Sequence, residues 1–111
     1  MKVRLHPDAE KELDQAARWY EGRDAGLGED LLAEVDRRLG GIAEAPHTWP
    51  RWQGTRELDP LIRRVLLRRF PFAIAYQAFD DRVWVLAIAH TSREPFYWAS
   101  RPDSDGPDAL G

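Results

Sequence analysis

The alternation of apolar and polar positions divides most of the chain into two predicted helices and four predicted strands. A short first strand is indicated at Val3–Leu5, and Pro7 suits the first turn of a helix, because that turn needs no hydrogen-bond donor there. Apolar residues at helical spacing carry this helix to about Glu21: Ala9, Leu13, Ala16, Ala17 and Tyr20. A second stripe predicts a helix from about Leu27 until Pro46 ends it: Leu31, Val35, Leu39 and Ile42. The glycine-rich stretch between the two helices makes them a helical hairpin.

Three β-type runs follow, and they are predicted as strands Ile62–Arg68, Phe72–Phe79 and Val83–His90. The turns between them are short enough to make neighbouring strands antiparallel. The last two runs are nearly apolar throughout, as expected of central strands that helices cover. The predicted fold class is therefore α+β, in the order β-α-α-β-β-β, with the hairpin packed on one face of a small, mainly antiparallel sheet. The other face would be left for a partner or a substrate.

The length of 111 residues predicts one domain, over residues 1–101. The acidic tail 102–111 is rich in Pro, Gly, Asp and Ser and is predicted to be disordered. The connection Pro46–Pro60 has no usable period, and connections of that length are often functional or mobile. We favour a packing role instead, in which Trp49 and Trp52 cover one end of the core.

Composition removes several classes of function. The chain has no cysteine, so a disulfide or a thiolate metal site is excluded. Its three histidines are too scattered to predict a metal site, and no phosphate-binding glycine motif follows a strand. We therefore expect neither metal nor cofactor. No apolar run approaches the roughly 20 residues of a membrane span, and the N-terminal apolar stretch is too short for a secretory signal, so a cytoplasmic protein without membrane contact is expected.

The net charge of −3 conceals an uneven distribution. Residues 8–44 hold eleven acidic and five basic side chains, whereas residues 51–101 hold nine arginines and five acidic side chains. Because a guanidinium binds carboxylate or phosphate at two points, this half indicates an anionic partner, either nucleic acid or an acidic protein segment. A solvated strand face balanced by an acidic helical layer is the alternative. No helix is basic along one face, so direct sequence-specific DNA binding is not expected.

A polar and aromatic cluster follows the last predicted strand: His90, Arg93, Tyr97 and Trp98. In a catalytic interpretation His90 is a general base, Arg93 holds a phosphate and Tyr97 donates a proton. In a structural interpretation His90 orders the segment Thr91–Trp98, while Tyr97 and Trp98 anchor it by packing. Of the four, Arg93 is the residue least expected to be merely structural.

Several motifs in a fixed order carry a family resemblance. They are A-x-x-E-L at Ala9–Leu13, WYE at Trp19–Glu21, GLG at Gly26–Gly28, RR-x-L-x-x-x-FPF-x-I-x-Y at Arg63–Tyr76 and A-x-x-H-x-x-R-x-P-x-YW at Ala87–Trp98. Together they resemble the ParE/RelE superfamily of type II toxin–antitoxin toxins, a group often labelled plasmid stabilisation proteins. The resemblance extends over Met1–Arg101 and implies the same β-α-α-β-β-β fold.

The resemblance implies one of two activities. RelE-like toxins are ribosome-dependent endoribonucleases that cut messenger RNA with lysines, arginines and a tyrosine, whereas ParE-like toxins inhibit DNA gyrase. By the resemblance, Ala73 stands where nuclease relatives place a central-strand arginine, and their lysine-bearing loop has no lysine here. Arg93 and Tyr97 do match at the C-terminal positions. The ParE-like, non-catalytic branch is therefore favoured, with the endoribonuclease and a non-toxic binding module of the same fold as alternatives.

The resemblance also implies partners. A cognate antitoxin would neutralise the toxin in a hetero-oligomer, and the toxin's target would be DNA gyrase, or the ribosome in the alternative. We expect the antitoxin to bind at the groove of the helical hairpin and along the arginine-rich strand Ile62–Arg69. The candidate residues for binding antitoxin or target are Arg63, Arg64, Arg68, Arg93 and Trp98.

Overall fold

The computed structural model describes residues 1–54, 59–94, 96–99 and 101. Its elements are β1 Lys2–Leu5, α1 Pro7–Arg23, α2 Leu27–Glu44, β2 Ile62–Leu66, β3 Phe72–Ala78 and β4 Arg82–His90. The order confirms the predicted β-α-α-β-β-β architecture, with bounds that differ by at most two residues where both ends were predicted. The predicted tail 102–111 and part of the long connection lie outside the described residues. Neither described helix combines the length and apolarity needed to cross a membrane.

The strands form one sheet in the order β1-β4-β3-β2. Strand β1 runs parallel to β4, and the other two pairings are antiparallel, so the sheet is mainly antiparallel as predicted. The register pairs Ala75 with Ala87 but Tyr76 with Val85, which leaves Leu86 without a partner on β3. Such a bulge reorients the strand that carries it. The bulge lies where β4 extends beyond β1, whose last pair is Leu5 with Val85.

The turn between the helices explains two of the sequence motifs. The Glu21 carboxylate accepts the backbone N–H groups of Gly26 (2.9 Å) and Gly28 (3.0 Å). Gly26 has φ +91°, a left-handed conformation that favours glycine. A Cβ on Gly28 would collide with the Ala17 carbonyl oxygen, so only glycine permits this approach of the two helices. The glutamate of WYE and both glycines of GLG are therefore structural.

The larger core lies between the helical hairpin and one face of the sheet. The helices contribute residues of the predicted stripes, among them Ala9, Leu31, Val35 and Ile42, all at most 1% exposed. Tyr76 comes from the sheet and is fully buried, and its hydroxyl donates to the Pro46 carbonyl (2.7 Å). Burial raises the pKa of Tyr76 to about 12, although the nearby charge of Arg63 opposes the rise.

The opposite face of the sheet is not left open, which corrects the sequence-based expectation. A second cluster of buried residues covers it: Ile62, Ala75, Trp84, Leu86, Ala87, Ala89 and Trp98, with Trp52, Phe79, Phe96 and Tyr97 packed against them. The two tryptophans of the long connection separate, because Trp49 packs on the helical side and Trp52 on this one. The segment that follows β4 returns across the sheet, so both faces of the central strands are covered.

Candidate functional site

A cavity of about 240 Å³ remains on the face opposite the helices, and we call it the apolar cleft. It is lined by Trp52, Arg64, Leu66, Ala73, Ala89, His90, Thr91, Arg93, Glu94, Tyr97 and Trp98. Ala73 and Ala89 face each other in the register of β3 and β4, and their small side chains leave the space open. Leu66 at the end of β2 is 50% exposed beside them. The cleft therefore offers a small apolar floor with arginines at its edge.

Aromatic side chains build one wall of the apolar cleft. Trp98 is 1% exposed, and its ring lies 4.8 Å from that of Trp52 and 5.9 Å from that of Phe96, both edge to face. Contacts of this kind contribute about 0.5–1.5 kcal/mol each beyond area burial. The backbone N–H of Trp52 donates to the Ile62 carbonyl (2.8 Å), so the connecting segment runs along the outer edge of β2. The wall is thus fixed by backbone pairing as well as by ring packing.

Glu12 on α1 fastens the C-terminal segment to the sheet. Its carboxylate accepts the Tyr97 hydroxyl (2.5 Å), both terminal nitrogens of Arg101 (3.0 Å each) and the backbone N–H of Ile88 (3.1 Å). Arg101 also donates to the Leu86 carbonyl (2.9 Å). The Ile88 N–H and the Leu86 carbonyl lie beyond the end of β1, so these two side chains replace the missing strand partner. Sequence reasoning missed both roles, although Glu12 is the glutamate of the A-x-x-E-L motif.

The same contacts set the electrostatics of Tyr97. Burial raises its pKa, and the hydrogen bond to the Glu12 carboxylate and its charge raise it further, against the opposing charges of Arg93 and Arg101. Burial acts to lower the pKa of Arg101, but the Glu12 contacts outweigh it and the net shift is upward. The Arg93 guanidinium lies 3.9 Å from the centre of the Tyr97 ring. Tyr97 is therefore a protonated donor whose hydroxyl is already engaged.

His90 is ordered by its own turn. The backbone N–H of Ser92 lies 3.1 Å from His90 Nδ1, and the Ser92 hydroxyl is 2.7 Å from the same atom. The Phe72 ring packs edge to face against the imidazole with 5.1 Å between ring centres. The structure brings His90, Arg93 and Tyr97 together around the apolar cleft, as the catalytic interpretation requires. The contacts of His90 with Ser92 fit the structural interpretation, whereas the hydrogen bond from Tyr97 to Glu12 was part of neither interpretation.

The five candidate binding residues do not form one surface. Arg64, Arg93 and Trp98 share the apolar cleft, with Trp98 buried in its wall. Arg63 points to the helical side, where it donates to the Trp49 carbonyl (2.7 Å) and lines another cavity. Arg68 lies in a third place, beside α2. Neighbouring strand residues point to opposite faces, which is why Arg63 and Arg64 separate.

The cavity that holds Arg68 lies between α2 and the turn from β2 to β3, and we call it the arginine cleft. It encloses about 650 Å³ and is lined by Glu34, Arg37, Arg38, Arg68 and Arg69. Glu34 is 3% exposed and accepts the backbone N–H groups of Arg68 and Arg69, which ends β2 before the predicted Arg68. Sequence reasoning missed this cleft. The available signal was Glu34, a carboxylate on the otherwise apolar, buried face of α2.

Metal binding finds no support in the described ranges, where no three histidine or acidic side chains converge as ligands would.

Asp30 on α2 forms an ion pair with an arginine of the arginine cleft. Its carboxylate lies 3.4 Å from the Arg69 guanidinium, and both side chains are at least half exposed. The two clefts thus differ in lining: one is mainly apolar and the other is charged.

Comparison with known proteins identifies the family to which the chain belongs. The sequence profile described as the ParE toxin of the type II toxin-antitoxin system parDE matches residues 3–95. No curated protein matched. A solved chain of the chromosomal ParDE toxin–antitoxin system from P. aeruginosa has a TM-score of 0.65, with 16% identity over 83% of this chain and 97% of that one. At that identity the likeness shows the fold alone. Since the profile spans most of its length, the chain belongs to the ParE toxin family of type II toxin–antitoxin systems.

Proposed function

We propose that the protein is a growth-inhibiting toxin that acts by binding DNA gyrase, and that a cognate antitoxin neutralises it by occupying the apolar cleft. Family membership supports the toxin–antitoxin role. The observation that carries the docking site is the alanine floor beside the exposed Leu66, with Arg64 and Arg93 at its edge. Among the described residues, neither guanidinium has a carboxylate within ion-pair distance. The cleft is therefore complementary to a peptide that carries apolar and acidic side chains.

The cleft suggests how such a peptide would bind. An apolar side chain would fill the space above Ala73 and Ala89 and cover Leu66, which removes apolar surface from water. A carboxylate on the same segment would then reach Arg64 or Arg93, and the planar guanidinium would bind it at two points. Of the arginines on the strand that the sequence indicated, only Arg64 lines the apolar cleft.

The geometry favours binding over RNA cleavage. Cleavage requires cationic groups on the scissile phosphate and an available proton donor. Ala73 supplies no charge at the floor of the apolar cleft, and the Tyr97 hydroxyl is held by Glu12. Because His90, Arg93 and Tyr97 nevertheless line the same cleft, a ribosome-dependent endoribonuclease is the second candidate.

A supercoiling assay separates the two activities. We expect the purified chain to inhibit DNA gyrase and the antitoxin to relieve the inhibition, while ribosome-bound messenger RNA stays intact. Message cleavage that Arg93→Ala or Tyr97→Phe abolishes in a folded protein would instead establish the nuclease. A chain that affects neither gyrase nor message, and whose production leaves growth normal, would be the non-toxic binding module.

The docking site has its own test. Arg64→Glu combined with Arg93→Glu should weaken antitoxin binding at least about tenfold, equivalent to roughly 1.4 kcal/mol, in a calorimetric titration. Arg18→Glu combined with Arg51→Glu is the charge-matched control, because both arginines are exposed and line neither cleft. Unchanged affinity of the double variant at low and moderate salt would place the antitoxin elsewhere.

A further inference from the structure

We propose that the arginine cleft binds the phosphate groups of a nucleic-acid backbone without reading the base sequence. This function is separate from the apolar cleft and goes beyond the toxin–antitoxin role. It rests on which side chains line the cleft and on how their charges are partnered.

Four arginines line the cleft from two elements: Arg37 and Arg38 from α2, and Arg68 and Arg69 from the turn after β2. Across the described residues, Arg37, Arg38 and Arg68 have no carboxylate within ion-pair distance, and Arg69 has only the exposed pair with Asp30. Like charges held together repel one another, and a bound anion relieves that repulsion. The cleft therefore concentrates positive charge on a chain whose net charge is −3.

Glu34 does not neutralise these arginines by forming an ion pair with their side chains. Its carboxylate is 3% exposed and accepts the backbone N–H groups of Arg68 and Arg69, which fixes the turn that carries both arginines. Arg37 and Arg38 lie three and four positions along the same helix, yet neither comes within ion-pair distance of it. Glu34 thus fixes the backbone that carries Arg68 and Arg69, and among the described residues it forms no ion pair with any of the four arginine side chains.

The lining favours phosphate over a protein segment. Among the described residues, no apolar or aromatic side chain lines the arginine cleft, so it offers the apolar groups of an acidic peptide fewer partners than the apolar cleft does. Guanidiniums suit phosphate oxygens, which accept two parallel hydrogen bonds. The same lack of aromatic rings removes any platform for stacking bases. The cleft has a volume of about 650 Å³, which leaves room for more than a single phosphate group.

The test uses the full-length chain, a short labelled DNA duplex and fluorescence anisotropy at several salt concentrations. The wild type should bind more weakly as salt rises, and equally well to duplexes of unrelated sequence. Arg37→Gln combined with Arg38→Gln should lower the affinity about tenfold at moderate salt. It should also reduce the slope of log affinity against log salt by roughly two, about 0.9 for each phosphate that the variant no longer neutralises. Both arginines are at least partly exposed, so the fold should survive.

Matched variants make the result specific. Arg18→Gln combined with Arg51→Gln removes the same charge from exposed positions outside the cleft, and it should leave binding within about twofold of wild type. Asp30→Asn removes the only carboxylate paired with Arg69 among the described residues and should tighten binding roughly twofold to threefold. Filling the apolar cleft with Ala89→Leu should not alter DNA binding, which keeps this proposal separable from the antitoxin site.

Three outcomes would overturn the proposal: no DNA binding by the wild type, equal losses in the cleft and control double variants, or equally tight binding of a glutamate peptide of matched charge. Pyrophosphate distinguishes the sources of phosphate. Weak pyrophosphate binding that the cleft variant abolishes supports phosphate recognition with the polymer as ligand. Pyrophosphate binding as tight as that of the duplex would instead assign the site to free polyphosphates and overturn the nucleic-acid assignment.

Discussion

The apolar cleft and the arginine cleft take neighbouring arginines from the same stretch of chain, yet their chemistry differs. Arg64 on β2 points to the face opposite the helices, whereas Arg68, only four residues later, belongs to a turn beside α2. The first arginine stands at the edge of an alanine floor and the second stands among three other guanidiniums. A basic run in the sequence thus does not define one surface. The end of β2 divides it between two clefts with different linings.

The two clefts are also held together by the same kind of contact. Each depends on a glutamate of the helical hairpin whose carboxylate accepts backbone N–H groups of the sheet or its turns. Glu12 binds Ile88 together with the side chains of Tyr97 and Arg101, and Glu34 binds only the turn after β2. Glu12 therefore holds a whole segment in place, so the apolar cleft should be the more easily dismantled of the two.

The largest expected effect comes from Glu12→Gln. The Glu12 and Arg101 side chains are 14% and 15% exposed, and breaking a largely buried pair leaves an uncompensated charge. We expect the free energy of unfolding to fall by about 3 kcal/mol in urea denaturation, and antitoxin binding to weaken because the wall with Trp98 loosens. DNA binding at the arginine cleft should persist under native conditions.

Glu10→Gln is the control for this change, since Glu10 is exposed in the first turn of α1 and should shift stability by less than about 0.5 kcal/mol. If Glu12→Gln weakened both ligands equally, the two clefts would be one cooperative site and the comparison would fail.

Alkaline pH gives the second-largest effect. Below pH 10 the buried tyrosines are protonated in both folded and unfolded chains, so their full contribution to stability is present. Above pH 10 the unfolded chain loses these protons while the folded chain keeps them, so stability falls as pH rises through the folded pKa of Tyr76, about 12. That fall is on the order of 2 kcal/mol, and Tyr97, whose pKa is also raised, adds to it.

Tyr97→Phe should flatten the part of this decline that belongs to the apolar cleft, whereas Tyr76→Phe should flatten the part that belongs to the main core. Urea denaturation between pH 9 and about 12 measures both. Arginines remain charged across this range, so no tyrosine variant should change the pH dependence of DNA binding. An identical decline in wild type and both variants would contradict the assignment.

The sequence predicts those parts of the fold that depend on contacts between residues close together in the chain. The helices, their glycine turn and the order of the elements along the chain were predictable, because periodicity and turn residues act over a few positions. The open face was predicted wrongly, because the segment after β4 has no period and its cover comes from packing against distant residues such as Trp52. The end of β2 was misplaced for a similar reason: Glu34 lies 34 residues from Arg68.

In the candidate site, too, the features set by neighbouring residues were predictable and those set by distant residues were not. The grouping of His90, Arg93 and Tyr97 was predictable from their order after one strand. The partner of the Tyr97 hydroxyl was not, because Glu12 lies 85 residues away and its motif shows no purpose until the fold is known. The binding roles of the five candidate residues remain predictions. Three of them, Arg64, Arg93 and Trp98, lie close enough in the structure to act on one ligand.

Ala89→Leu is the third test and acts on the floor of the apolar cleft. Ala89 is 4% exposed and faces Ala73, so the longer side chain would occupy the cavity of about 240 Å³. Antitoxin binding should weaken about tenfold or more, or about 1.4 kcal/mol, as measured by calorimetry. A change in stability above about 1.5 kcal/mol would show overpacking instead, and the binding result would then need Ala73→Val as a smaller filling variant.

The smallest expected effect is that of Leu66→Ser, which tests whether the exposed edge of the apolar cleft belongs to the docking surface. Leu66 is 50% exposed, so burial of its free half by a partner would contribute about 1 kcal/mol and its loss should weaken antitoxin binding roughly fivefold. Stability should change by less than about 0.5 kcal/mol, because the residue lies at the end of an edge strand. Leu32→Ser on α2, 43% exposed and in neither cleft, is the matched control and should leave antitoxin affinity unchanged. The opposite pattern, in which Leu32 matters and Leu66 does not, would move the antitoxin from the sheet to the helical hairpin and leave the apolar cleft without its proposed occupant.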